Sequence, residues 1–415
     1  MTGTLYVTIS LNCMGPVTDP RHGDLLTSWD AVDAAFAAAQ SEAYRLRFPD
    51  SKGRGLKFSL SCVSWSGFAA NPVQRDFGWH TIFDHYRAAF GPEMAKWGDD
   101  FYWMYNHPAK SRVGNEWGID WFDNAHYLNI LNHFVIDRGY FPNAIQVPTE
   151  DNDVSHFIEQ WIPFDFGNRN SLFNDLDSIN QDGKRTRDVF DWRAAPFDWS
   201  HYQPGPDDFR LPGDMKRHVF RIVDIKSIIH VIQRPDIRQA FLKCLRGEDV
   251  VICAYEHDFR DRYETIMELY LGPLFDLARE YPEIPIVHAT VQEAARHVLG
   301  GADDPAPALT IAPFETGLLI AAERPLFGAG PYVCSAGLED RLYRHWPTTR
   351  IGRTAWFLPM LPQHDGPFIL GVAANDPAGR GAMLRYRLPG SDWASAQPLS
   401  DADRPFLDPD QAARS

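Results

Sequence analysis

Cysteine is scarce in this chain and badly spaced for metal or disulfide work. Its five cysteines, at 13, 62, 244, 253 and 334, are odd in number and form no CxxC pair. That excludes a disulfide framework and a zinc knuckle, and leaves most of them as small buried hydrophobes. Positive charge is also short: 40 Lys and Arg against 55 Asp and Glu give a net charge of −15. A surface of that sign disfavours nucleic acid and anionic membranes, so neither is an expected partner. No apolar run approaches the ~20 residues that span a bilayer. The first residues enter a strand with no basic and then apolar leader, so a cytoplasmic location is expected. HExxH, GxSxG and P-loop motifs are absent, and Gly328-Ala329-Gly330-Pro331 has the wrong spacing for a dinucleotide fingerprint.

What the chain does have is length, aromatic residues and alternation. Its 415 residues suggest two domains, and 13% of them are aromatic. Aromatic-rich loops stack on ligands, and aromatic cores account equally well for the same composition. Through the first ~300 residues, strand-like and helix-like segments alternate in the manner of a parallel α/β fold. Strands are predicted at 5–11, 56–63, 101–105, 218–225, 250–255 and 284–287. Helices are predicted at 29–45, 79–97, 122–136, 154–161, 236–245, 263–280 and 291–299. Residues 168–215 lack periodicity and are rich in Asp, Asn, Pro and Arg, and loops this long inside a domain are often functional. After a Gly, Asp and Pro linker near 300–307, short strands at 310–311, 317–322, 355–358, 368–373 and 383–387 read as an antiparallel β-sandwich. The predicted domains are a (β/α) barrel over 1–302 and a β-sandwich over 308–400.

In such barrels, groups at the C-terminal ends of the strands face one mouth, where active sites are built. Asn12-Cys13, Asn106-His107-Pro108, Asp165 and Glu256-His257-Asp258 sit at those ends, although far apart in sequence. Strand alternation turns Cys13 away from Asn12. Arg138-Gly139-Tyr140 follows the third helix, and Asp191-Trp192-Arg193-Ala194-Ala195-Pro196 with Leu211-Pro212-Gly213-Asp214 lies in the long loop. In order and spacing these elements resemble the polysaccharide deacetylase (NodB-homology) superfamily over roughly residues 1–300. The C-terminal sandwich lies outside the match. The resemblance implies a deformed barrel in which a strand-one carboxylate and two strand-three histidines hold a divalent ion, an arginine element follows a helix, and a late-strand histidine acts as acid. Here Asn12 stands where the carboxylate would be. His107 matches the second histidine, Tyr105 falls at the first, Arg138 matches the arginine and His257 the acid.

The expected activity is therefore deacetylase-like hydrolysis of an amide C–N bond in a small polar metabolite or N-acylated sugar, at an atypical or metal-independent site. His257, Asn12, His107 and Arg138 are the catalytic candidates. Tyr105, Trp192, Arg193, Glu256 and Asp165 are the substrate-binding candidates. No cofactor is expected; the alternative is one weakly held divalent metal such as zinc, on His107 and Asn12. A second reading is a non-catalytic carbohydrate- or ligand-binding barrel. A third takes metal ligands from elsewhere, for instance Glu116, Asp165 or His201. Trp192, Trp199 and Tyr202 either stack over a ligand or pin the long loop to the barrel. The chain is compatible with a homo-oligomer.

Overall fold

The computed structural model describes residues 2–17, 25–65, 78–106, 124–147, 152–171, 192–226, 231–301, 304–360, 362–390 and 392–400. They group into two compact units. One draws on 1–122, 144–152 and 164–302, the other on 123–143, 153–163 and 303–415. Among the described residues no helix is long and apolar enough to cross a membrane.

The first unit is a parallel α/β barrel. Its strands are β1 (Leu5–Cys13), β2 (Phe58–Trp65), β3 (Asp100–Asn106), β4 (Ala144–Gln146), β5 (Phe164–Asn168), β6 (His218–Arg221), β7 (Val223–Asp224), β8 (Val250–His257) and β9 (Ile286–His288). The sheet runs β6-β5-β4-β3-β2-β1-β8-β7, with β9 also paired to β1. Only Ile222 separates β6, which pairs with β5, from β7, which pairs with β8, so the sheet nearly closes on itself. β1 and β8 are buried along almost their whole length, as parallel strands covered on both faces must be, which is why they read as continuous apolar runs.

Helices α1 (Trp29–Gln40), α2 (Glu42–Arg45) and α3 (Trp79–Trp97) lie in this unit. The predicted helix 29–45 breaks at Ser41. This residue is extended (φ −62°, ψ 147°) and accepts the Tyr44 N–H at its side chain, so it caps a new helix instead of continuing the old one. Beneath the break Arg45 is fully buried, its guanidinium forked onto Asp99 at 2.9 and 2.5 Å and lying 4.0 Å over the Phe58 ring. Helix α6 spans Arg234–Leu245. The predicted helix 263–280 contains a π-helical stretch, Ile266–Leu271, between the short α7 (Tyr263–Thr265) and α8 (Gly272–Glu280). Pro273 has no N–H to give, and the widened turn ahead of it absorbs that loss. Helix α9 (Val291–Val298) opens on a capping box of Thr290 and Glu293. Its Val291, Ala294 and Ala295 fill the N-terminal end of the barrel against Tyr6, Phe164, Phe220 and Val251.

The second unit is an antiparallel β-sandwich. A four-stranded sheet is formed by β10 (Leu309–Phe314), β11 (Gly317–Ala322), β15 (Ala355–Leu358) and β14 (Thr349–Arg350). A five-stranded sheet is formed by β13 (Tyr343–His345), β12 (Tyr332–Gly337), β16 (Phe368–Asn375), β17 (Gly381–Leu388) and β18 (Gln397–Leu399). Leu318, Ile320 and Leu358 of the first sheet pack against Val333, Leu370 and Val372 of the second. Strand β12 escaped the sequence reading because Gly and Pro flank it on one side and Cys, Ser and Gly dilute its pattern.

Helices α4 (Asn124–Arg138) and α5 (Asn152–Ile158) interrupt the barrel sequence, and residues 124–143 and 153–158 cluster with the sandwich unit. Gly371 lets α4 lie directly on β16: a Cβ there would stand 2.5 Å from Val135 Cγ1. Tyr332 donates to the Leu128 carbonyl and to Asn132 Oδ1, and Arg385 donates to the Ile136 carbonyl.

Candidate functional site at the barrel mouth

Neighbouring parallel strands in register place side chains of the same parity on one face. Along β1, Thr8, Ser10 and Asn12 face the barrel lumen, while Leu11 and Cys13 face the surrounding helices. The β1–β8 register pairs Asn12 with His257 and Leu11 with Glu256. Asn12 and His257 therefore share one rung and one face at the C-terminal mouth. His257 is the more open of the two, its side chain 16% exposed, with Phe259 packed against its ring.

A hydrogen-bonded chain crosses the lumen below them. Ser61 Oγ donates to Asn12 Oδ1 at 2.8 Å, and Ser10 Oγ lies 2.6 Å from the Tyr102 hydroxyl. Tyr102 in turn donates to Gln146 Oε1 at 2.6 Å. The single Tyr102 proton is committed to Gln146, so Ser10 must supply the proton of the Ser10–Tyr102 bond. Both amide oxygens are thus occupied by hydroxyl donors. The two amide nitrogens, Asn12 Nδ2 and Gln146 Nε2, have no hydrogen-bond partner although the residues are 1% and 0% exposed. A buried donor left in this state costs roughly 1–3 kcal/mol, which is tolerated where a ligand completes the bond. Burial pushes the Tyr102 phenol well above its ordinary pKa.

The opposite wall carries a cation. Arg169, directly after β5, donates to the Tyr255 hydroxyl and lies 4.3 Å over the Tyr255 ring. It is 3% exposed. Burial raises the Tyr255 phenol, Arg169 draws it down, and the Asp224 carboxylate on the neighbouring strand raises it further. Arg169 also draws down the Tyr102 phenol.

The sequence candidates divide sharply. Asn12 and His257 meet as described. Glu256 points to the helix side of β8, where its Oε1 accepts the His257 N–H at 3.0 Å and lies 3.6 Å from His257 Nδ1 and 3.8 Å from Arg262. It can steady the backbone and ring of His257 without entering the lumen. Cys13 faces Cys62 and Asp258 on the outer side, and burial raises its thiol pKa. Asp258 there accepts the backbone N–H groups of Met14 and Gly15 and the Tyr86 hydroxyl, at 2.9 to 3.0 Å, and so clamps the turn after β1.

Asp165 lies on the outer wall of β5, fully buried, with Arg217 Nε and Nη2 each 3.4 Å from its Oδ2. Trp192 packs on that same outer wall with Ala195, Tyr202 and Val219, and Trp199 donates to the Asp236 carbonyl. These aromatics pin the long loop to the barrel, while Arg193 is exposed in the turn beside them. Tyr105 is likewise buried on the outer side of β3, edge-on to Trp103. The lumen tyrosine of that strand is Tyr102, three residues before Tyr105. His201 stacks on Phe220 and lies tilted beside His218 at the N-terminal end of β6, away from the mouth. Arg138 belongs to the sandwich unit, its guanidinium 3.5 Å from Asp137. His107 and Glu116 lie outside the described residues.

For a divalent ion the described donors fit poorly. Asn12 offers a neutral amide oxygen already bonded to Ser61, and Tyr105 is turned outward. Among the described residues no group of three or more His, Cys, Asp or Glu is placed to hold a metal. Sequence reasoning missed Ser61, Tyr102, Gln146, Arg169 and Tyr255. The alternation Ser59, Ser61 and Tyr102, Met104 was a usable signal for two of them. Gln146 sits on a three-residue strand with too short a pattern to read.

No family model matches this chain, and no curated protein matches it. Among solved structures, an engineered protein aligns over 93% of this chain and 93% of its own, with 9% identity and a TM-score of 0.28. Wild-type OgpA from Akkermansia muciniphila aligns over 96% of this chain and 95% of its own, also with 9% identity, at a TM-score of 0.16. Likenesses this slight bear on neither fold nor function.

Proposed function

We propose that the barrel is a deacetylase-like hydrolase that cleaves an amide C–N bond in a small polar metabolite or N-acylated sugar. The observation that carries this reading is the pairing of Asn12 with His257 on one rung of the mouth, with Asn12 Nδ2 unspent beside the only described histidine of that rung. Further support comes from the strand-end order Asn12, His107, His257, which resembles that of the polysaccharide deacetylase superfamily.

Asn12 Nδ2 donates to the carbonyl oxygen of the scissile amide and stabilises negative charge as it develops there. His257, neutral, takes a proton from a water molecule as that water forms the new C–O bond. The imidazolium then delivers the same proton to the departing nitrogen as the C–N bond breaks, releasing a carboxylic acid and an amine. The backbone bond from His257 N–H to Glu256 fixes the ring's starting position. No step runs through a metal, because the described donors do not make the site for one.

Release of acetate from N-acetylated sugars and N-acetylated amino acids, measured with the wild type, His257→Gln and Asn12→Ala, tests the reading. Turnover is expected to fall about 10²- to 10⁴-fold in His257→Gln and to survive chelation. Turnover indifferent to both substitutions overturns the assignment. Ligand binding with no turnover in any protein favours the non-catalytic barrel.

A further inference from the structure

Gln146 takes no part in that chemistry, yet the residue is 0% exposed and its amide nitrogen has no hydrogen-bond partner. We infer that Gln146 Nε2 is a second recognition point, donating to a carbonyl oxygen of the ligand other than the scissile one. The ligand is then a small neutral molecule with two carbonyl groups a few bonds apart, an N-acylated α-amino carbonyl compound. This subsite depends on the mouth being the ligand site, as in the proposed function, and adds the second group that the ligand must carry.

Strand register sets Gln146 on the approach to Asn12. Asn12 pairs with Ser61, and Ser61 with Tyr102. Gln146 pairs with Met104, two residues closer to the strand ends than Tyr102, so it stands on the mouth side of the row that holds Asn12. Contacts of 3.4, 2.6 and 2.6 Å run in series from Asn12 Oδ1 through Ser10 Oγ and the Tyr102 hydroxyl to Gln146 Oε1. The two carboxamides are therefore no farther apart than one small molecule reaches, and each has a spare donor.

Proton accounting narrows what Nε2 can bind. Tyr102 donates to Oε1, so only the N–H groups of the amide are left to offer, and the partner must be an acceptor. A ligand hydroxyl would accept from Nε2 but would bring a proton of its own. The acceptors beside it are spent, Gln146 Oε1 on Tyr102 and the Tyr102 oxygen on Ser10. That proton would be buried without a partner, so one orphaned donor would replace another. A carbonyl oxygen brings no proton and takes the bond without stranding a further group. Asn12, Ser10, Ser61, Tyr102 and Gln146 are all neutral, so this network holds no charge to offset the desolvation of an anion.

Three probes that differ at one group test this. N-(2-oxopropyl)acetamide carries the second carbonyl, N-(2-hydroxypropyl)acetamide a hydroxyl in its place, and N-isobutylacetamide a methyl. Binding is measured by titration calorimetry or by ligand-observed NMR on the full chain. Wild type is expected to bind the ketone ~10-fold more tightly than either of the others. Gln146→Met removes the donor at similar volume and should abolish the preference. Tyr102→Phe frees the amide to turn and present its oxygen, so the alcohol should gain on the ketone. Equal binding of the three probes by the wild type, as when an ordered water already satisfies Nε2, overturns the inference without any variant having to fold. So does binding of none of them, an alcohol that binds as well as the ketone, or a ketone preference that survives Gln146→Met. If the ketone is not preferred but acetate release is lost in His257→Gln, the subsite falls and the hydrolase stands. If the ketone is preferred through Gln146 but no N-acetyl compound is cleaved, the subsite stands and the hydrolase falls.

Discussion

Two sets of buried polar side chains in the barrel unit are satisfied to very different degrees. On the outer face, Asp258 receives two backbone N–H groups and a tyrosine hydroxyl, and Arg45 is forked onto Asp99 with further bonds to the Ala39 and Leu56 carbonyls and to Gln40. On the lumen face, Asn12 and Gln146 are just as deeply buried but keep one amide nitrogen each without a partner. Polar groups whose donors are all satisfied hold a structure together. Buried donors held back from bonding weaken it, and they persist where another molecule uses them.

Several experiments would break or sharpen this contrast. The largest effect is expected outside: Arg45→Ala strands the Asp99 carboxylate in the protein and should cost about 3–5 kcal/mol in urea unfolding. If a lumen substitution costs as much, the distinction fails. Next comes Tyr102→Phe, which removes the hydroxyl between Ser10 and Gln146 and should cost about 1–3 kcal/mol.

A pH test follows. Burial, and then the neighbouring His201, hold His218 down at about 4, below its ordinary 6.5. The neutral form is favoured in the folded state, so this contribution is present above pH 6.5 and is lost as pH falls toward 4. Unfolding free energy measured across that window should decline with acid, and His218→Gln should flatten the decline without changing binding at the mouth. The smallest change in stability is expected for His257→Gln, within about 0.5 kcal/mol, because its side chain is partly open at the mouth. A large loss there would recast His257 as a structural residue.

Much of the architecture was legible because burial writes itself into runs of apolar residues. Val250–Ala254 and Leu5–Leu11 announce buried parallel strands, and the barrel followed by a sandwich is what the structure contains. The candidate site was only half legible. Asn12 and His257 were readable because each closes a long, unambiguous strand. Tyr105 and Asp165 were misassigned to the ligand side, because position near a strand end does not fix the face; a one-residue shift in parity exchanges lumen for outer wall. Arg169 was hidden at the head of an aperiodic stretch. The orphaned amides could not be read at all, since a missing bond is a property of the folded network and not of any residue in it.

Strand β1 has one more consequence. It pairs with β2 some fifty residues on, but its other partners are β8, with Leu5 opposite Val250, and β9, with Leu5 opposite Ile286. As the chain emerges from a ribosome, the apolar edge of β1 must wait for nearly the whole first unit to be synthesised before it is covered. Contacts of such sequence separation form late and slowly, and an uncovered strand edge invites pairing with other chains meanwhile. Nascent chains ending before β8 would therefore be the aggregation-prone form of this protein, and the window between residues 13 and 257 is where protection by chaperones would count most.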